Sequence, residues 1–180
     1  ARGGVARENG CTGTGMEGWQ RMTGGREDEK RWKKFDQWRV VESRTSAGDG
    51  CCCSYDLAAG LTTVERYDGQ TRRHYWNAQN LIVRYVDERG ENWRYAWDDN
   101  ELLTRRIDPL GNAVTFVYDD LGNRVEEKDA DGGVQAVQWL SHRSLPTVVA
   151  GADGSTTKYY YDPHHGLERV VDAVGQSTIY

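Results

Sequence analysis

The chain holds four cysteines, Cys11 alone and Cys51, Cys52 and Cys53 in a row. Thiolates bind zinc and softer metals, or pair as disulfides. Consecutive residues of a strand alternate faces, so three adjacent cysteines cannot all ligate one ion. The spacing also lacks the Cys-x-x-Cys pair of a zinc site. The expectation is an unpaired or incidental cluster. His164-His165 follow Tyr161-Asp162-Pro163, where an imidazole could ligate a metal or carry a proton. A solvated turn is the better account of them, and His74 and His142 have no partner at motif spacing. Asp108, Asp129 and Asp172 recur, and a row of carboxylates could bind calcium. Each, however, opens an Asp-x-x-Gly turn in which the carboxylate caps local backbone. A nucleophile with a placed base is not found. No catalytic residue, cofactor-binding residue, cofactor or metal ligand is therefore assigned.

The elements that would position such groups are set by a period. Gly69, Gly90, Gly111, Gly132, Gly154 and Gly175 are separated by 21, 21, 21, 22 and 21 residues. Tyr55, Trp76, Trp97, Tyr118, Trp139 and Tyr161 keep the same beat, again with one step of 22. Each aromatic after the first lies seven residues past a glycine of the other series. Two chemically different series locked in phase indicate a repeat architecture.

One unit reads as strand, turn, strand, turn. Val114, Phe116 and Tyr118 alternate with Thr115 and Val117 at the period of a strand. Tyr118-Asp119-Asp120-Leu121-Gly122-Asn123 is turn chemistry, a short limb Arg124 to Lys128 follows, and Asp129-Ala130-Asp131-Gly132 turns again. Asp first and Gly last is the preference of a type I turn, and Pro109 supplies a fixed φ in Asp108-Pro109-Leu110-Gly111. The fold class expected is all-β: tandem hairpins of about 21 residues, stacked in series because one hairpin cannot bury a face alone. The aromatics are expected to line up in ladders. This explains 7 Trp and 10 Tyr beside 2 Phe, since large rings with a polar edge suit a partly dry sheet.

Tyr118-Asp119-Asp120-Leu121-Gly122-Asn123 with Asp129-Ala130-Asp131-Gly132 resembles the YD repeat of Rhs (rearrangement hotspot) proteins. Tyr55-Asp56, Ile107-Asp108-Pro109-Leu110-Gly111-Asn112 and Tyr160-Tyr161-Asp162-Pro163 look like the same family. Asn77 and Leu140 replace the Asp of the pair, so those units are degenerate. The resemblance covers residues 55–180. It implies a long chain of hairpins spiralling into a hollow β-sheet shell, or cocoon, that encloses a toxic C-terminal domain. Bacterial members are polymorphic toxins, often loaded on a type VI secretion spike. Relatives form the cocoon of insecticidal Tc toxins, and eukaryotic relatives are cell-surface teneurins. The partners it implies are the remainder of the same shell, the enclosed toxin domain, a secretion spike protein and a chaperone. The localisation implied is bacterial, with loading in the cytoplasm and delivery to a target cell. Rhs proteins also carry an aspartyl self-cleavage segment with paired Asp-Pro motifs. Asp162-Pro163-His164-His165-Gly166-Leu167 resembles it only superficially, because two histidines intervene and the partner motif is missing. No protease activity is assigned, and the expectation is that the chain is not an enzyme.

Residues 1–54 are read as degenerate repeats or a connector, and 55–180 as tandem repeats within a fragment of a longer chain. Phe35-Asp36 sits 20 residues before Tyr55-Asp56, and Gly48 sits 21 before Gly69, which extends the repeat back to about Gly24. The net charge of −5 and pI near 5.4 argue against nucleic acid as a partner. No apolar run approaches a membrane span, and residues 1–30 do not read as a signal peptide. Mean hydropathy of −0.81 with 21 Gly and 3 Pro fits turn-rich β structure rather than disorder, given the aromatics. Two roles follow: a structural wall segment enclosing an effector, or a surface YD-repeat array whose rings bind carbohydrate or a partner protein.

Overall fold

Alternating side chains interrupted every ten or so residues by Asx and Gly turns leave the chain one economical course, up and down in hairpins. A computed structural model, which describes residues 19–22 and 31–180, follows it. The described residues form sixteen strands and no helix. The expected connector at Ala1 to Met22, the repeat start at Gly24, and Cys11 fall largely outside the described residues.

The chain divides into two units, residues 1–92 and 93–180. The first contains β1 (Trp19–Met22), β2 (Arg31–Asp36), β3 (Arg39–Thr45), β4 (Gly50–Asp56), β5 (Leu61–Arg66), β6 (Thr71–Trp76) and β7 (Ile82–Val86). The second contains β8 (Asn92–Trp97, its first residue at the boundary), β9 (Leu103–Ile107), β10 (Ala113–Tyr118), β11 (Arg124–Lys128), β12 (Val134–Trp139), β13 (Pro146–Ala150), β14 (Thr156–Tyr161), β15 (Leu167–Val171) and β16 (Ser177–Ile179). Within each unit every strand pairs antiparallel with the next in sequence. The Tyr-Asp turns of a unit therefore lie along one edge and its Asp-x-x-Gly turns along the other.

Both turn types share one backbone. In Asp119–Asn123, the Asp119 N–H donates to the Asn123 carbonyl (2.9 Å) and the Gly122 N–H to the Asp119 carbonyl (3.0 Å). The fourth residue takes positive φ, as in a three-residue hairpin loop closed by a left-handed residue. Along the Asp-x-x-Gly edges glycine fills that place, with φ between 81° and 93° at Gly69, Gly90, Gly111, Gly132, Gly154 and Gly175. Along the Tyr-Asp edges it is filled by Asn80 (63°), Glu101 (64°), Gly122 (79°) and His165 (68°).

The single step of 22 has a location. The Leu140 N–H reaches the Leu145 carbonyl, one residue further than in its sister turns, and His142 has φ of 90°. The extra residue is in this loop, which opens on Leu140 and has no Asp or Asn to cap it.

Little of either unit is deeply buried. Val64, at 8% exposed, is the buried hydrophobic residue among those described. Order comes from the ladder of hydrogen bonds and from half-covered rings rather than from a central core.

Candidate functional site

The aromatic series marks the seam of each repeat. Trp76, Trp97, Tyr118, Trp139 and Tyr161 each end a strand, and each falls at a register shift with the following strand. Phe35, one residue from the end of β2, also falls at a register shift. Such a bulge increases local twist and re-aims the side chain. The ring then reaches back across the preceding hairpin. The Tyr118 hydroxyl donates to the Leu103 carbonyl (2.9 Å), Tyr161 to Pro146 (2.9 Å), Tyr55 to Val40 (2.8 Å) and the Trp139 indole to Arg124 (2.9 Å). Each spans 15 residues. Trp76 reaches the Thr62 hydroxyl instead (3.3 Å). The polar tip that sequence reasoning assigned to a partly dry surface thus has a defined partner: the carbonyl just past the preceding Tyr-Asp turn.

The aspartates are caps. Asp119 Oδ1 accepts the N–H groups of Leu121 (3.0 Å) and Asn123 (2.8 Å), and Asp108 Oδ1 those of Leu110 (2.9 Å) and Asn112 (2.8 Å). Asp98, Asp129, Asp162 and Asp172 repeat the pattern. Side-chain hydrogen bonds from Asn112 and Asn123, then backbone N–H groups, hold Asp108 and Asp119 below the usual carboxylate range. Asn77 caps Gln79 (3.1 Å) and Leu81 (2.9 Å) in the same way, so the degenerate unit keeps its geometry. Where a turn opens with Arg66 or Gly151, an aspartate two residues on supplies the cap, Asp68 to Gln70 and Asp153 to Ser155. His164-His165 belong to the Asp162 cap, with the His164 N–H on Asp162 Oδ1 at 2.8 Å. Among the described residues no group of three His, Cys, Asp or Glu side chains is arranged to hold a metal.

With the acids concentrated in turns, the two faces of the second unit differ in charge. Directly paired residues share a face. One face carries Arg94, Arg105, Lys128, Lys158 and Arg169 against Glu126. On the other, Arg106, Arg124, Glu127 and Glu168 balance, with Arg124 paired to Glu127 at 2.7 Å. That balanced face bears Tyr95, Phe116, Tyr118, Tyr159 and Tyr161, all half-buried.

A cluster the sequence did not announce lies in the first unit. Glu42 is 3% exposed. It accepts from Arg44 (2.8 Å) and from the Tyr67 hydroxyl (2.5 Å), while Arg44 also donates to the Tyr67 oxygen (2.7 Å). Desolvation, then the Glu42 carboxylate, pushes the Tyr67 phenol up to about 12. The Tyr67 ring lies over Gly50, where an added Cβ would come within 2.5 Å of it. Glu42 and Arg44 share a face of β3 two residues apart, but only hairpin pairing brings Tyr67 to them.

The cysteines divide. Cys52 is disulfide-bonded, which corrects the expectation of an unpaired cluster, while Cys51 and Cys53 are free. The alternation of β4 explains the split, because it turns Cys52 to one face and Cys51 and Cys53 to the other. Burial, then the neighbouring Cys51, pushes the Cys53 thiol up to about 11.

Shallow clefts also lie among the described residues. One of ≈ 290 Å³ is lined by Trp38, Arg39, Val40, Tyr55, Thr62, Trp76 and Asn80, and Trp38 is 71% exposed with the Arg39 guanidinium 3.8 Å from its ring centre. The other, ≈ 490 Å³, lies between the Leu140 loop and the Asp162 turn, lined chiefly by Tyr159, Tyr160, Tyr161 and Lys158.

The repeat grammar now has a known counterpart: the RHS Repeat family matches residues 76–113 and again 97–134, two overlapping windows offset by one period. Residues 76–134 of this chain carry RHS repeats. No curated protein matches it. Among solved structures, the chain is similar to the crystal structure of TcdB2-TccC3-TEV, with a TM-score of 0.65 and 16% identity over 80% of this chain and 8% of that one. It is similar to TcdB2-TccC3 without its hypervariable C-terminal region, with 0.65 and 17% over 84% and 9%. It is also similar to the Photorhabdus luminescens Tc holotoxin pore, with 0.64 and 12% over 83% and 9%. At these identities the likeness is one of fold, and the chain spans less than a tenth of those chains' length.

Proposed function

We propose that this chain is a stretch of wall in an Rhs-type β-cocoon, closing a compartment around a toxin or effector domain and holding it for delivery. The observation that carries the reading is the match of 80–84% of the chain to TcdB2-TccC3 structures. A sheet with one aromatic, charge-balanced face and one basic, exposed face suits a boundary between two spaces. The glycine series from Gly69 to Gly175 and the aromatic series from Tyr55 to Tyr161 would serve as structural repeat residues, turning the wall and fastening each hairpin to the one before. The role needs no catalytic residue in this chain. The partners are the rest of the same shell, the enclosed domain, and a secretion spike protein and chaperone, in a Tc-like or type VI-like delivery system of a bacterium. Native mass measurement and low-resolution imaging of the polypeptide containing this chain test the reading. A closed hollow particle of on the order of a thousand residues, several typical domains in size, is the expected result. A compact or open, elongated particle of about this chain's own size would overturn it.

The cleft at Trp38 favours a second reading, a surface array that binds carbohydrate or a partner protein. A 71% exposed indole beside Arg39 and Asn80 offers a stacking face with hydrogen-bonding groups at its rim. Saturable glycan binding abolished by Trp38→Ala, with the circular dichroism spectrum unchanged, would support it. Absence of binding across a glycan panel would leave the wall reading alone.

A further inference from the structure

Cys51 and Cys53 remain as free thiols after Cys52 has formed its disulfide on the opposite face. They stand two residues apart in β4, pointing to the same face. Register confirms the placement: Cys51 lies opposite Arg66 and Ser43, and Cys53 opposite Val64. Two residues apart on one face of an extended strand, the two thiols are neighbours, with Tyr55 next along the same face. They cannot relieve one another as a disulfide easily, because residues i and i+2 of an extended strand hold their Cα atoms about 6.5 Å apart, at the limit of disulfide geometry. The floor beside them is Val64, 8% exposed. Across Val64 from Cys53 lies Arg72, one strand further on. Its Nε is buried without a hydrogen-bond partner, and its outer nitrogen is 3.8 Å from Glu88.

We propose that Cys51 and Cys53 form a two-thiolate site for a soft monovalent d¹⁰ ion, copper(I) in kind, with Arg72 as the positive group beside it. Donor number decides the metal. Among the described residues no third His, Cys, Asp or Glu joins the pair, whereas zinc takes four ligands and calcium six or more oxygens. Two sulfurs with no carboxylate or imidazole beside them are the donor set that selects copper(I). On binding, each thiol gives one proton to solvent and each sulfur one lone pair to the ion. The product is a bis-thiolate complex of charge −1, with no change of oxidation state. The single negative charge over an apolar floor is what the Arg72 guanidinium offsets, and Arg72 acts there as a positioning residue, not as a ligand.

The test is anaerobic titration of the full chain with copper(I) alone, against a competing chromophoric chelator, with ascorbate to hold the metal reduced and leave the Cys52 disulfide intact. One equivalent should bind. Cys51→Ser and Cys53→Ser should each weaken binding by roughly 10²–10⁴-fold, because each loses the second, intramolecular contact. Arg72→Gln should weaken it roughly 10-fold while keeping the stoichiometry. Zinc should not compete. Should the variants misfold, the unaltered chain answers: one equivalent of copper(I) should protect both Cys51 and Cys53 from iodoacetamide, mapped by peptide mass. Unchanged affinity in either serine variant, protection of one thiol without the other, or no binding by the unaltered chain would each overturn the site.

Discussion

Replacing Tyr118 by Phe removes a hydroxyl and leaves the ring, so it isolates the hydrogen bond to the Leu103 carbonyl. The expected cost is about 0.5–1.5 kcal/mol in urea unfolding, and Tyr161→Phe should match it, since its bond to Pro146 has the same length and span. A neutral result at both would show that the tip is exchanged for water without loss. The Glu42–Arg44–Tyr67 cluster makes a pH prediction. A phenol whose folded pKa is raised to about 12 from an ordinary value near 10 favours the protonated folded form. Its contribution is complete below pH ~10 and is lost as pH rises through ~12, because there the folded state binds more protons than the unfolded one. Absorbance titration should show a tyrosine ionising at pH ~12 that disappears in Tyr67→Phe. At Cys53, desolvation slows thiolate formation, so iodoacetamide labelling should rise roughly tenfold per pH unit toward ~11. A plateau below pH ~9 would show that the thiol is not desolvated.

At the scale of the hairpin, the left-handed place of each turn separates backbone from side-chain effects. An added Cβ at Gly111 meets nothing within 4 Å, so Gly111→Ala carries the conformational penalty alone. That penalty is about 1 kcal/mol of destabilisation. Glu101, at φ 64°, bears the penalty already, and Glu101→Gly should raise the melting temperature. Opposite signs at the two positions are the expected outcome of a paired thermal denaturation. The caps give the turns an acid limit. Carboxylates held low by hydrogen bonds, as at Asp108 and Asp119, stabilise the fold above the ordinary carboxylate pKa, and that contribution is lost as pH falls through the lowered folded value. Asp108→Asn and Asp119→Asn should keep the turn, as Asn77 does, while blunting the acid transition. An unchanged acid midpoint in the double variant would assign acid unfolding to other groups.

For the molecule as a whole, a sheet with so little buried surface raises the question of what its rings and edges meet. The wall reading answers that the hairpins form part of a closed body, and the mass and image of the native particle decide it. The wall also predicts how damage spreads. In a repeat array stability is a sum of units and their interfaces, so Tyr118→Phe should lower protection from hydrogen exchange mainly in β9 to β11. Uniform loss of protection across residues 93–180 would instead show one cooperative block.

Much of the fold was legible because its determinants are local. Asp-x-x-Gly and Tyr-Asp turns, two-residue alternation and the 21-residue beat act over a few residues each, and strands joined by short turns have little choice but to pair with their neighbours. Asn77 shows how local the code is, since an amide oxygen in the right place kept the turn that the missing carboxylate seemed to forfeit. Other features required two chain positions to meet across strands. The bulge at each aromatic and its bond 15 residues back depend on how neighbouring strands slide and twist. The burial of Glu42 depends on Tyr67, 25 residues away, crossing Gly50. The parting of Cys52 from Cys51 and Cys53 rested on alternation that the sequence displayed, yet which thiols stayed free was decided by what each face met. Sequence by itself thus determined the repeat, the strands and their turns, because those are short-range choices of backbone. Tertiary structure alone decided the partners of the polar tips, the buried acid and the thiol pair, because hydrogen bonding and desolvation depend on which side chains the register places together.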